Sequence, residues 1–196
     1  HWVWGFGRTV ELADTQVLRF ESEALDVYLR DPALWEDLVV ADLSDSERAL
    51  VWVDGRLHGV IGPGVTAFWK DLHEVRVEVI DASLPRFEHK LLEAVLRLDG
   101  GRNLRSVEVP KGHAGMLYVD DVLTDELAPG RYAYWHGLRR IGCDVVDLRE
   151  QEIDVSGQEI LTADKVSLRL NVVASYRVSD PKAATESTGN LFGALY

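Results

Sequence analysis

The sequence predicts an α+β, strand-rich fold: tandem small antiparallel sheet modules, each with a packed helix. Three observations lead there: an internal repeat, apolar residues alternating at period two, and turn-forming pairs between them. Residues 47–81 and 113–147 align without gaps at a shift of about 66 residues. Roughly ten of thirty-five positions are identical, where chance gives about two or three. The matches include Asp54 with Asp120, Pro63-Gly64 with Pro129-Gly130, Trp69 with Trp135, and Asp81 with Asp147.

Each element of the repeat has a physical reason. The apolar run Ala49 to Val53 meets Asp54-Gly55, a hairpin-turn pair because Gly tolerates positive φ. A second strand, Leu57 to Ile61, ends at Gly62-Pro63-Gly64, where Pro presets the first corner of a turn and Gly the second. An aromatic strand with Phe68 and Trp69 follows. Val75, Val77 and Val79 alternate with Arg76 and Glu78, the pattern of a half-buried strand. A helix over Glu88 to Leu98 presents Leu91, Leu92, Ala94, Val95, Leu96 and Leu98 as one broad apolar face. Its counterpart upstream is expected over Glu23 to Arg30, with Pro32 opening a second turn through Trp35 and Leu38. The repeat also extends backwards: Arg8 to Asp14 resembles Glu74 to Asp81, and His1-Trp2-Val3-Trp4 reads as the tail of an earlier unit. The expected division is a truncated first module at 1–46, a second at 47–112, and a third part at 113–196, with breaks at Ser44-Asp45-Ser46 and Pro110-Lys111-Gly112.

After Asp147 the pattern changes. Gln151 to Val155 and Gln158 to Leu161 read as strands separated by a Ser156-Gly157 turn. A second turn at Thr162 to Lys165 precedes a long alternating strand from Val166 to Val178. Asp180-Pro181 stops that strand and starts a helix, with Ser179 or Asp180 as N-cap and Pro181 at the first helical position.

The 196 residues carry 21 Lys+Arg against 33 Asp+Glu, a formal charge of −12. That balance disfavours a general nucleic-acid binder, which needs basic side chains to displace counterions. No apolar run reaches the roughly 18–20 residues of a membrane span. The single Cys143 excludes an internal disulfide and a multi-cysteine metal site. The chain starts at His1 without a signal peptide and reads as a fragment of something longer.

No constellation of catalytic residues stands out. The six histidines (His1, His58, His73, His89, His113, His136) form no HxxxH or HExxH pair, and His58 and His73 read as surface residues. There is no GxSxG elbow, Walker pattern or GxGxxG loop. Carboxylates are abundant, but Asp54 and Asp120 sit at equivalent turns, which explains both. Trp2, Trp4, Trp52, Trp69 and Trp135 read either as interfacial aromatics or as plugs in each module's apolar layer. The recurrence of Trp69 and Trp135 at one repeat position favours the plugs. Tyr134, Trp135, Arg139 and Arg140 together form the best candidate for an interaction surface, an edge facing lipid headgroups. Cys143, at the repeat position of Val77, reads as a core thiol. No catalytic residue, cofactor or metal is expected.

Residues 147–184 resemble the heart of an SPFH/band-7 domain, the stomatin/prohibitin/flotillin family, and are similar to the bacterial slipins. The residues carrying the resemblance are Asp147, Arg149, Gly157, Gln158, Thr162, Asp164, Val166, Tyr176, Arg177, Val178, Asp180, Pro181 and Ala184, preceded by Leu127, Pro129, Gly130 and Arg131. Asp120-Asp121 replaces the family's usual Asp-Gly, so a looser hairpin is expected there. Upstream the chain departs from the stomatin pattern of a membrane-inserting segment. Residues 1–112 instead carry copies of the domain's own opening, like a slipin subgroup with tandem N-terminal repeats. The resemblance implies a non-enzymatic, stomatin-like or prohibitin-like scaffold, cytoplasmic or peripheral on the cytoplasmic membrane. It implies a homo-oligomer that organises membrane microdomains or holds membrane proteins such as proteases and channels, reaching the lipid surface through the full-length protein. The competing readings are a soluble protein-binding adaptor built from repeats and, more remotely, a hydrolase using scattered carboxylates.

Overall fold

A computed structural model of the chain describes residues 14, 16–22, 25–31 and 36–187. The readings placed on His1 to Trp4, on Arg8 to Ala13, on Glu23, on Pro32 and on Trp35 lie outside them. The chain divides into two compact units, residues 1–104 and 105–196.

The first unit contains β1 (Arg19–Phe20), α1 (Leu25–Tyr28), β2 (Leu38–Leu43), β3 (Glu47–Val53), β4 (Arg56–Ile61), β5 (Gly64–Trp69), β6 (Val75–Asp81), β7 (Arg86–Phe87) and α2 (Leu92–Asp99). Two small antiparallel sheets form in it, ordered β1-β5-β2 and β4-β3-β6. Apolar side chains of β2 (Ala41, Leu43) pack on Ala49, Ile61 and Val77 of the other sheet. A second cluster joins Phe20, Leu38, Ala67 and Trp69 with Leu25, Tyr28 and Leu29. The α1 turn is thereby seated on the strands that follow it.

The second unit contains β8 (Leu104–Val109, starting at the boundary), β9 (His113–Val119), β10 (Val122–Leu127), β11 (Gly130–Trp135), β12 (Ile141–Asp147), β13 (Gln151–Leu161), β14 (Ser167–Tyr176) and α3 (Pro181–Ser187). The sheet β10-β9-β12 corresponds to β4-β3-β6, and β8 pairs with β11 as β2 pairs with β5. Every strand from β2 to β6 has a counterpart of equal length 66 residues later, β8 to β12. Registers agree too: Glu47 faces Asp81 as His113 faces Asp147. The core of this unit is Val107, Val109, Leu117, Leu127, Tyr134 and Ile141.

Several elements differ from the sequence expectation. The break expected at 46 lies in the β2–β3 turn, yet β2 bonds to β5 along its length, from Leu38↔Trp69 to Leu43↔Gly64. Strands on both sides of that turn share one sheet. Turn chemistry marks a reversal of the chain and does not distinguish a turn inside a module from a link between modules. Leu38 opens a strand instead of closing a helical turn, and it is buried against Trp69. Helix α2 begins at Leu92, four residues later than expected, because His89 captures the approach: its carbonyl accepts the Leu92 N–H at 3.1 Å and its Nδ1 the Leu91 N–H at 3.1 Å. Val79 is exposed.

The Asp120-Asp121 hairpin is as tight as its Asp54-Gly55 counterpart. Both turns have positive φ at both central residues, 50° and 73° for Asp54 and Gly55, 52° and 65° for Asp120 and Asp121. That geometry suits the right-handed twist of the flanking strands, and Asp is among the few L-residues that tolerate it. Ser156-Gly157 is a bulge within one eleven-residue strand, since the β13–β14 register shifts between Val155 and Gln158 without breaking. Gly157, at φ 74°, absorbs the extra residue and donates its N–H to Asn171 Oδ1 at 3.0 Å.

Candidate functional site

Two regions of the second unit hold the residues singled out by sequence. The first is a hollow of about 500 Å³ lined by Arg105, Asp120, Asp121, Trp135 and residues 136–141. Strand β11 ends at Trp135, Gly137 turns the chain at φ 90°, and the loop returns into β12 at Ile141. The β9–β10 turn clamps this loop. Asp120 N–H donates to the Arg140 carbonyl at 2.8 Å, and Arg140 N–H donates to Asp120 Oδ1 at 3.0 Å. That backbone donation, with the Arg139 guanidinium 3.1 Å from the other oxygen, holds the Asp120 carboxyl below its usual range. Arg140 Nη1 donates to Asp121 at 2.5 Å, and Arg105 Nη1 to the Ile141 carbonyl at 2.6 Å.

The four residues proposed as one interaction surface separate here. Tyr134 and Trp135 are 1% and 2% exposed, whereas the Arg139 and Arg140 side chains are 55% and 75% exposed. Consecutive in β11, the two aromatics point to opposite faces of the strand and both are buried, and the loop carries the two arginines outward. Arg105 joins them from β8; its distance in sequence hid it. Trp69, at the repeat position of Trp135, is likewise buried. Trp52 is half-buried, donating Nε1–H to Glu78 at 3.0 Å beneath the Arg76 guanidinium, 4.9 Å from the ring centre.

The second region is residues 147–187, which carries the family-like motif. Most motif residues whose contacts are described shape turns or a helix cap. Asp147 closes a turn by accepting the Arg149 N–H at 2.9 Å, and it grips the Arg149 guanidinium at 2.8 and 2.6 Å. Those contacts, with His113 nearby, drive its carboxyl far below the ordinary value. Arg149 in turn lies over Gly112, where an added Cβ would meet its Cγ at 3.1 Å. Thr162 builds the β13–β14 tip, its hydroxyl bonding Asp164 and the Val166 carbonyl and its N–H reaching the same carbonyl. Tyr176 bonds Gln151 across the open end of the hairpin. Asp180 caps α3 by accepting the Ala183 N–H at 2.9 Å, with Pro181 at the first helical position.

One face of the β13–β14 ribbon is largely apolar, with Gln151 and Gln158 also on it. Opposed pairs Ile153↔Ala174, Val155↔Val172 and Ile160↔Leu168 lie on it, because directly opposed residues share a face. The bulge shifts the parity of β13, bringing Ile160 to the side of Val155. Ile160, Leu168 and Val172 are 43–49% exposed.

Among the described residues no group of His, Cys, Asp or Glu could hold a metal ion. His58 and His73 are exposed, and His73 Nδ1 lies 2.7 Å from Asp54. Cys143 is half-buried beside the core cluster, and burial pushes its thiol pKa up. Among the described residues no helix is long and apolar enough to cross a membrane.

Comparison with known proteins gives this geometry its class. Residues 107–193 match the SPFH domain / Band 7 family. The matched segment begins within β8 and takes in β9 to β14 and α3. Over 43 residues the chain is 54% identical to an uncharacterized protein of Archaeoglobus fulgidus. Over the same length it is 51% identical to stomatin homologues of Pyrococcus horikoshii and Pyrococcus abyssi. Each match covers 21% of this chain, and 17%, 16% and 16% of those relatives' own lengths. No solved structure is significantly similar to the chain.

Proposed function

We propose that this chain is part of a non-enzymatic scaffold of the stomatin/prohibitin/flotillin type that oligomerises and organises membrane proteins or membrane microdomains. The observation that carries the reading is the use made of the SPFH/Band 7 segment. Its motif residues Asp147, Arg149, Thr162, Asp164 and Asp180 are spent on turns and a helix cap. What they present is an extended ribbon with an apolar face. A two-stranded hairpin alone is marginal in water, so an exposed apolar face supports association with a neighbour, here a second copy. The 66-residue offset shared by five strands supports tandem duplication ahead of the domain, as in slipins with N-terminal repeats. The proposed location is cytoplasmic, peripheral on the cytoplasmic membrane, with membrane proteases or channels as partners.

Size-exclusion chromatography with light scattering on the intact natural protein tests assembly: a multimer is expected, and a strict monomer at micromolar concentration overturns the reading. A second reading, a soluble adaptor built from repeats, is favoured by the charge of −12, since anionic leaflets repel acidic surfaces. Liposome flotation separates the two, because an adaptor stays at the bottom of the gradient with or without anionic lipid.

A further inference from the structure

We propose that the hollow between the β9–β10 turn and the 136–140 loop binds a phosphate group, carried by a lipid headgroup or by a small soluble molecule. The first unit supplies an internal control. There the Asp54-Gly55 turn clamps the loop 70–74 by the same backbone bonds: Asp54 N–H to the Glu74 carbonyl at 2.9 Å and Glu74 N–H to Asp54 Oδ1 at 3.0 Å. The aspartate is therefore a structural element in both copies, and the side chains around it are what differ. Lys70-Asp71-Leu72-His73-Glu74 in one copy corresponds to His136-Gly137-Leu138-Arg139-Arg140 in the other, and Val39 corresponds to Arg105. A setting with acidic excess has become one with three arginines against two aspartates, in a chain whose overall charge is −12.

The arrangement suits a phosphate for three reasons. A guanidinium has five N–H donors in a planar fork that matches phosphate oxygens. The bonds from Arg139 to Asp120 and from Arg140 to Asp121 each use one Nη1 and fix where the rest of the fork points. Arg105 is held by the Ile141 carbonyl on the wall of the same hollow. The strained position agrees: Asp121 occupies a left-handed φ of 65° where the first copy has Gly55, and its carboxylate positions Arg140. The scaffold reading does not depend on this site; oligomers that ignore phosphate would leave that reading standing.

The test uses the whole 196-residue chain with two probes. Inorganic phosphate is titrated while backbone amide resonances are followed. Phosphatidylcholine vesicles with and without phosphatidylglycerol are then used in sedimentation. The expected result is a saturable response, confined to residues 136–141 and 105 in the phosphate arm or dependent on phosphatidylglycerol in the vesicle arm. R139Q/R140Q should weaken it roughly 30-fold, from the usual contribution of two basic residues at an anionic surface. R139K/R140K, which keeps the charge, should fall between, and H73Q/E74Q in the other copy should leave it unchanged. A response to phosphate identifies a soluble ligand, and a response only to anionic vesicles identifies a lipid headgroup. Silence in both arms overturns the proposal, as does an R139Q/R140Q variant that melts normally and binds like wild type.

Discussion

Replacing Gly115 with alanine should destabilise the second unit, although alanine is the residue found at the equivalent position of the first. Gly115 lies in β9 under the core cluster, and its φ is not in the left-handed region. The obstacle is space. A Cβ there would stand 2.7 Å from Val109 Cγ2, 3.1 Å from Cys143 Sγ and 3.2 Å from Leu127 Cβ. Two of these neighbours are on flanking strands of the same sheet, so relief requires strands to part. Ala49, the counterpart, fits fully buried against Leu43, Ile61 and Val77. Overpacking of this kind costs about 1–3 kcal/mol, which for a chain of this size lowers the melting temperature by about 2–4 °C per kcal/mol. Thermal melting followed by circular dichroism, with hydrogen exchange at the β9 amides, measures it. Val109→Ala should cost about 1–2.5 kcal/mol alone by leaving a cavity, but the double variant should cost less than the sum by about 1 kcal/mol, because Val109 makes the tightest contact. A G115A chain as stable as wild type, or strictly additive costs, would refute the packing argument.

Asp99→Ala should cost about 2–3 kcal/mol, because the buried Asp99 carboxylate accepts the Asn103 and Leu104 N–H groups and the Asn103 amide; urea unfolding checks it. Acid should destabilise the chain. The carboxyls of Asp147, Asp120, Asp54, Asp164 and Glu47 all titrate below their ordinary values in the fold. Their contribution is thus complete above the unfolded carboxylate range near 4 and is lost as pH falls through the folded values. Melting temperatures between pH 7 and 2 should show this drop, with a smaller drop for Asp147→Asn. Asp121→Gly should stabilise the β9–β10 hairpin by roughly 0.5–1 kcal/mol through relief of its positive φ, measured by thermal melting, while loosening Arg140.

Much of the motif segment was legible because most of its residues act locally. Thr162 with Asp164, Asp147 with Arg149 and Asp180 with Pro181 all work within a few positions of one another, so their spacing announces their geometry. The exposure of the four candidate residues was half legible. Arg139 and Arg140 are adjacent and loop-borne, but Tyr134 and Trp135 could not be assigned to inside or outside, since an aromatic pair reads alike in a core and at a membrane surface.

The sequence by itself determined the order of short strands, their hairpin turns and the turn chemistry of the C-terminal segment, because alternation and turn chemistry depend on neighbours along the chain. Tertiary structure decided which strands share a sheet across the 44–46 turn, that Ser156-Gly157 is a bulge rather than a reversal, and that Arg105 stands beside Arg139 and Arg140. Each of these depends on pairing between residues far apart in sequence, where register and packing, and not local preference, set the outcome.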